Sequence, residues 1–385
     1  MEEIADPQNL ARAWASVWRN AGAAGIDGQT IAAFGADLEH QLASLRKRLL
    51  SAERYVPPPT RRVEIAKPDG RTRPLGIPTV ADRVVQQATR QVIEPFFEAI
   101  FLPCSFGYRK GKGARKAVYW VREAIRRGDR WVAEFDIRGF FDNLRHPRLL
   151  REVQKVIKDP EVIGLIRRWL KAGVLTDEGL VPTTAGTPQG GVISPLLANI
   201  YLHRLDKQVR EAGFRLIRYC DDFVILTESR VEAQAADAYV REILSDIGLR
   251  VAEEKTGVRQ VQEGFEFLGF TFYGRFLRPR PRALVEFKDN VRSRTRRKTP
   301  ISMGVMIEQL NPVLRGWGNY FADGDVLSLF RDLDSWVRMR LRSKARRRGK
   351  TKGGVDNVRW PNRHFTDLGL VSLERLARVG RISPA

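Results

Sequence analysis

Three aspartates carry the chemistry that is easiest to name in this chain. Asp136 lies near the end of a short apolar run rich in strand formers, RWVAEFDI (130–137), and Asp221 and Asp222 sit in a turn within RLIRYCDDFVILT (215–227). Carboxylates at the ends of neighbouring strands suit a pair of divalent cations. Two such ions, a few ångströms apart, can activate an attacking hydroxyl and stabilise a phosphoryl leaving group. Magnesium prefers hard oxygen donors and keeps several waters, so few side chains suffice. Each piece also has an ordinary reading, because Asp-Asp is common turn chemistry and an Asp closing a strand often caps a helix. The combination of a turn pair with a third carboxylate on a buried strand weighs against that reading.

These side chains need strands and helices to hold them, and the chain alternates between the two. Residues 8–53 read as helical, interrupted by turn chemistry in AAGIDGQT, and Pro57, Pro58 and Pro59 break any continuation. VEIAKPDGRTRPLGIP (63–78) reads as a hairpin with its turn at 68–70. The spacing predicts helices over 80–100, 114–127, 148–172 and 231–247, and a Gly-rich turn feeding a helix in TPQGGVISPLLANIYLHRLD (187–206). Strands are expected at 215–220, 223–227, 249–252 and 265–272. Interleaved strands and helices with hairpins among them define an α+β fold.

Composition narrows the partner. The 385 residues hold 67 Lys+Arg against 45 Asp+Glu, a net charge of +22, which points to a polyanion such as nucleic acid. Arg278, Arg280, Arg282, Arg292, Arg294, Arg296, Arg297 and Lys298 form one basic run. A second extends from Arg338 to Lys352. Between them Ile307, Leu310, Leu314, Trp317 and Phe321 recur at helical spacing, and Pro312 reads as the first residue of a new helix capped by Asn311. No apolar run is long enough to span a bilayer and MEEIADPQNL does not read as a signal peptide, so no membrane partner is expected. Two cysteines, Cys104 and Cys220, and four scattered histidines exclude a disulfide framework and a zinc cluster. A reducing cytoplasm is the expected home.

The motifs then resemble a known family. YCDD (219–222) is similar to the YxDD box of reverse transcriptases, and EFDIRGFFDNL (134–144) to their first palm motif. RPLGIPTVADRVVQQA (73–88), CSFGYRKGKGARKAV (104–118), the PQG block at 187–206, EKT (254–256) and FEFLGFTF (265–272) follow in the family's order. The resemblance is closest to proteins encoded by bacterial group II introns, through GIDG (25–28) and the maturase-like IEQLNPVLRGWGNYF (307–321). It implies a right-hand polymerase: an N-terminal helical extension (1–60), fingers (61–130), a palm (131–275) with inserted helices (148–185), a basic helical thumb (276–352) and a tail (353–385). Paired cysteines of an HNH endonuclease are missing, so a member lacking that domain is expected.

Roles follow from the resemblance, residue by residue. Asp136 and Asp221 would hold two Mg2+ ions (Mn2+ a substitute) with the Ile137 carbonyl, and Asp222 would complete the triad largely through its field. Asp142 reads as structural. Lys67 and Arg73 would meet the triphosphate, Phe141 would exclude a ribose 2′-hydroxyl, Gln189 would lie against the nucleotide, and Lys255 would serve the triphosphate or simply form a salt bridge. Tyr219, Gly190, Phe267, Leu268, Gly269, Arg292, Arg296 and Arg297 would face primer and template. Trp317, Tyr320 and Phe321 read as core. The expected partners are an RNA template, a DNA or RNA primer, dNTPs and a cognate intron RNA. Competing readings are a maturase that needs no catalysis, a domesticated enzyme in CRISPR or phage defence or DNA repair, and an RNA-dependent RNA polymerase.

Overall fold

The computed structural model describes residues 1–66, 70, 72–346 and 355–379. In chain order the elements begin with helices α1 (Pro7–Asn20), α2 (Ile31–Ala36) and α3 (Leu38–Leu50), strands β1 (Thr60–Ala66) and β2 (Thr72–Ile77), and helices α4 (Val80–Glu98) and α5 (Ala114–Arg127). Next come β3 (Trp131–Asp136), α6 (His146–Val156), α7 (Pro160–Lys171), β4 (Val174–Thr176), β5 (Gly179–Val181), α8 (Ser194–Glu211), β6 (Arg215–Tyr219), β7 (Asp222–Thr227) and α9 (Arg230–Asp246). The last group is β8 (Gly257–Gln260), β9 (Phe265–Phe267), β10 (Phe270–Tyr273), β11 (Phe276–Pro279), α10 (Pro281–Arg294), α11 (Met303–Phe321), α12 (Leu327–Ala345), α13 (Val355–Arg359), α14 (Asn362–Asp367) and α15 (Leu373–Val379). The fold is mixed α+β, as the alternation predicts. Among the described residues no helix is long and apolar enough to cross a membrane.

Two compact units form. The first joins Met1–Gly113, Ala133–Thr227 and Val231–Val258; the second joins Ala114–Val132, Glu228–Arg230 and Arg259–Ala385. In the first unit β1 pairs antiparallel with β2 and parallel with β4, giving a sheet of order β2-β1-β4-β5. A second sheet runs β6-β7-β3-β8, with β6 and β7 an antiparallel hairpin. Its residues Phe135, Phe223 and Ile225 join Leu197, Leu202 and Leu205 of α8 and Val240 and Leu244 of α9 in one buried core. Burying apolar side chains from both elements is what fixes strand to helix here.

In the second unit β9, β10 and β11 make an antiparallel meander. Around it Phe270 packs on Phe321 (ring centroids 4.7 Å) and Phe287 on Trp317 (4.4 Å). Arg115 and Arg122 of α5 pair with Asp323 and Asp325, and Asp334 accepts hydrogen bonds from Ser372 and the backbone N–H of Leu373 and Glu374, capping α15.

Several expectations need correction. The helix over 148–172 is two helices: Asp159 accepts from the N–H groups of Glu161 and Val162, and Pro160 opens α7. Asp-Pro is a start signal, and the residue before proline resists helical geometry. Pro312 opens no helix, for α11 runs through it. Asn311 is not a cap; it bonds the Gly369 carbonyl and the Val371 N–H. Proline is tolerated because its ring lies on the exposed side while Leu310 and Leu314 stay buried. At 249–252 only Val251 makes a bridge, to Ile137, and a 3-10 turn follows at Glu253–Lys255. The run 265–272 divides into β9 and β10, separated by a tight turn.

Candidate active site

The catalytic turn is a two-residue hairpin loop. Tyr219 pairs with Asp222, leaving Cys220 and Asp221 between the strands. Cys220 adopts φ +61°, a left-handed conformation that favours glycine in such turns. Beside this hairpin lies β3, and the rings of Phe135 and Phe223 stack with centroids 4.8 Å apart. Asp136 follows Phe135 and Asp222 precedes Phe223, so the two carboxylates come together at one end of the adjacent central strands β3 and β7.

Electrostatics carry the same signature. Burial pushes the Asp222 carboxyl up to about 7, and the neighbouring carboxylates of Asp136, Asp221 and Glu134 push it further in that direction while Lys255 opposes them. Lys255 Nζ donates to Asp136 Oδ2 at 2.8 Å. The Asp136 carbonyl accepts from Ala252 N, and Arg138 N donates to the Arg250 carbonyl. Those two bonds flank the Ile137–Val251 bridge, so the Ile137 carbonyl faces away from Val251, toward the β7 side of β3.

Crowded carboxylates with one lysine among them are short of positive charge, and their oxygens suit a hard divalent cation. Among the described residues no three His, Cys, Asp or Glu side chains stand as ligands of a single ion.

The loop proposed to meet the nucleotide is knitted to its surroundings by backbone. Gly76 N of β2 donates to the Gln189 carbonyl at 2.7 Å. A Cβ on Gly190 (φ +114°) would lie 2.6 Å from the Gly76 carbonyl, so only glycine allows this approach. Beneath the loop, Gln86 Oε1 accepts from Ile193 N, and Gln86 Nε2 donates to the buried Asp82, which also accepts from Tyr55 and Trp169. Phe141 lies in a 3-10 turn at Phe140–Asp142, edge-on to Phe140 and buried at 7 % exposure, and its carbonyl accepts from Thr187 N. That burial matches the ordinary reading of a core aromatic as well as that of a sugar-stacking wall. Asp142 is exposed on the same turn. Arg73 stands in β2 opposite Ile65, and Lys67 lies outside the described residues.

In the second unit Phe267 is buried, while Leu268 (φ +49°) and Gly269 (φ +80°) form the β9–β10 turn. Arg292 pairs with Asp289 and lies over the Trp336 ring; Arg296 and Arg297 are exposed. Trp317, Tyr320 and Phe321 pack among Phe270, Phe287 and Phe330; Phe321 is buried, whereas Trp317 and Tyr320 are half-buried. Tyr219 is half-buried. Burial and the nearby carboxylates push the Cys220 thiol up to about 12, which disfavours the thiolate. Two buried groups escaped the sequence reading, Asp82 and Arg218. The signal for the second was an arginine at an interior position of the strand RLIRY, where Leu216 and Ile217 are buried and the other arginine, Arg215, lies exposed at the strand's start.

Residues 65–272 match the model of reverse transcriptases (RNA-dependent DNA polymerases), and the chain belongs to that family, whose members share the right-hand polymerase fold and use divalent metal ions. Residues 284–364 match the group II intron maturase-specific domain. Protein YkfC of Escherichia coli (strain K12) is 33 % identical over 309 residues, which span 69 % of this chain and 80 % of YkfC. The group II intron-encoded protein LtrA of Lactococcus lactis subsp. cremoris is 42 % identical over 165 residues, 43 % of this chain but only 27 % of LtrA. A chain of a partial Cas6-RT-Cas1–Cas2 complex matches at 28 % identity with a TM-score of 0.39, covering 63 % of this chain and 41 % of that one.

Proposed function

We propose that the protein copies an RNA template into DNA from a DNA or RNA primer by two-metal nucleotidyl transfer, with Asp136, Asp221 and Asp222 at the reacting centre. The observation carrying this reading is that the end of β3 and the β6–β7 turn lie side by side, where burial first, and then the neighbouring carboxylates, raise the Asp222 carboxyl to about 7. Asp136 and Asp221 would hold two Mg2+ ions with the Ile137 carbonyl, and Asp222 would add negative field. Bound there, the ions would lower the pKa of the primer hydroxyl and neutralise the triphosphate. Lys255, released from Asp136, would turn to the phosphates, joined by Lys67 and Arg73. Gln189 and Gly190 would lie against the nucleotide and its template base, with Phe141 under the sugar. Tyr219 and the Phe267–Gly269 turn would contact the primer.

The domain reading is fingers at 61–130, palm at 131–275 and a basic thumb at 276–352. Arg292, Arg296 and Arg297 would meet duplex phosphates, making binding salt-sensitive. The cytoplasm is the expected compartment. Extension of an oligo(dT) primer on poly(rA) with dTTP tests the enzyme: Asp221→Ala and Asp222→Ala are expected to abolish extension while RNA binding persists, and unchanged extension would overturn the site. Phe141→Ala is expected to raise ribonucleotide incorporation; unaltered discrimination would return Phe141 to the core.

A second activity is favoured by the maturase-domain match and the exposed Arg296 and Arg297. Binding of a cognate intron RNA there would promote splicing without the carboxylates. Splicing by Asp221→Ala, scored beside its failure to extend a primer, separates the two.

A further inference from the structure

We propose that Arg218 is a positioning residue for metal binding, holding the Cys220–Asp221 peptide from inside the core; this rests on the carboxylate reading above. Arg218 and Asp206 are both at 0 % exposure. The guanidinium spends every donor it has. Nε and Nη2 each reach an Asp206 oxygen at 2.6 Å. Nη1 donates to the Cys220 carbonyl at 2.9 Å and to Asn199 Oδ1 at 3.1 Å, and Nη2 to Ser105 Oγ at 2.8 Å.

The backbone reinforces that hold. Arg218 N donates to the Cys104 carbonyl and Phe106 N to the Arg218 carbonyl, each at 2.8 Å, so residues 104–107 run beside β6. Gly107 then packs on the turn itself: a Cβ there would stand 2.6 Å from Cys220 N and 2.4 Å from its sulfur. Asn199 Nδ2 bonds the Gly107 carbonyl at 2.8 Å. Cys220 is thus bonded at its carbonyl and closely packed by Gly107 along its backbone, in a conformation a cysteine rarely takes unaided. The Cys220 carbonyl belongs to the peptide bond that leads into Asp221. Turning that peptide plane would turn Asp221.

A buried ion pair is weak support for stability, since apolar residues of similar volume often serve as well. Its place directly beneath the metal-binding turn gives this one a different use. Lysine cannot replace it, because a single ammonium cannot span the Asp206 fork and the Cys220 carbonyl together.

The test compares Mg2+ titrations of primer extension in the full chain, with thermal melting and primer–template binding measured alongside. Arg218→Lys, and the apolar pair Arg218→Met with Asp206→Leu, are expected to bind primer–template normally and to need about 10-fold or more Mg2+ for half-maximal extension. Adding Cys220→Gly, which accepts the left-handed turn without outside help, is expected to restore part of the Mg2+ response. A lowered melting temperature with an unchanged Mg2+ midpoint would assign Arg218 to stability alone and overturn the proposal. Should both Arg218 variants fail to fold, Ser105→Ala removes one acceptor and leaves the Asp206 fork; an unchanged midpoint there counts equally against it. If the wild type does not extend primers at all, the enzyme reading itself fails.

Discussion

Two turns in this molecule have the same length and open on the same unusual backbone, yet they are held in opposite ways. Cys220–Asp221 joins β6 to β7, and Leu268–Gly269 joins β9 to β10; Cys220 and Leu268 both sit at positive φ. Under the first lies a buried ionic network built on Arg218 and Asp206. Around the second lie aromatic rings: Tyr320 donates its hydroxyl to the Leu268 carbonyl at 2.7 Å, and Arg280 N bonds the Gly269 carbonyl. The difference follows from what each turn carries. The first brings carboxylates together, whose repulsion acts on the backbone, so it needs directional bonds from a rigid, internally paired network beneath it. The second bears no ionisable group, and dispersion with neutral hydrogen bonds suffices.

The sharpest way to break that comparison is to press on the ionic turn from outside its charge network. Gly107→Ala would drive a methyl group into Cys220 without removing any charge; we expect extension to fall by about 100-fold, because small misplacements at a reacting centre are costly. A variant with normal rates would mean the turn is more compliant than its packing suggests.

A smaller effect should appear in pH dependence without metal. The Asp222 carboxyl is raised in the folded protein to about 7, well above the ordinary aspartate value of 3.8. The folded state therefore keeps its proton over a range where the unfolded chain has lost it. Stability is greatest below the unfolded value and declines as pH climbs toward about 7, by at most about 1.4 kcal/mol per pH unit. Melting in EDTA from pH 4 to 8 should show this slope, Asp222→Asn should flatten it, and Mg2+ should reduce it. A slope indifferent to both would detach Asp222 from the triad. The mildest change belongs to the aromatic turn: Tyr320→Phe should cost about 1 kcal/mol in stability and leave the Mg2+ midpoint of extension alone.

Much of the scaffold was readable in the sequence. Periodicity placed α5 at 114–127 and came within a residue of α9, and the apolar runs on either side of Asp221–Asp222 became β6 and β7. These elements have one buried face each, so pattern and structure coincide. Asp159-Pro160 and Pro312 misled in opposite directions, since a single proline can open a helix or ride its exposed side, and only tertiary packing chooses. The clamp under the turn was beyond reach for a related cause. Ser105, Asn199, Asp206 and Arg218 come from three separate segments, and no spacing rule announces that their side chains will meet.

The ion pair between Lys255 and Asp136 has one more consequence. An ammonium already seated on a metal-seeking carboxylate makes cation uptake a substitution, in which the arriving ion must evict a tethered competitor. Such a pocket discriminates by charge: a monovalent ion gains little over the lysine it would displace, whereas a divalent ion brings twice the attraction.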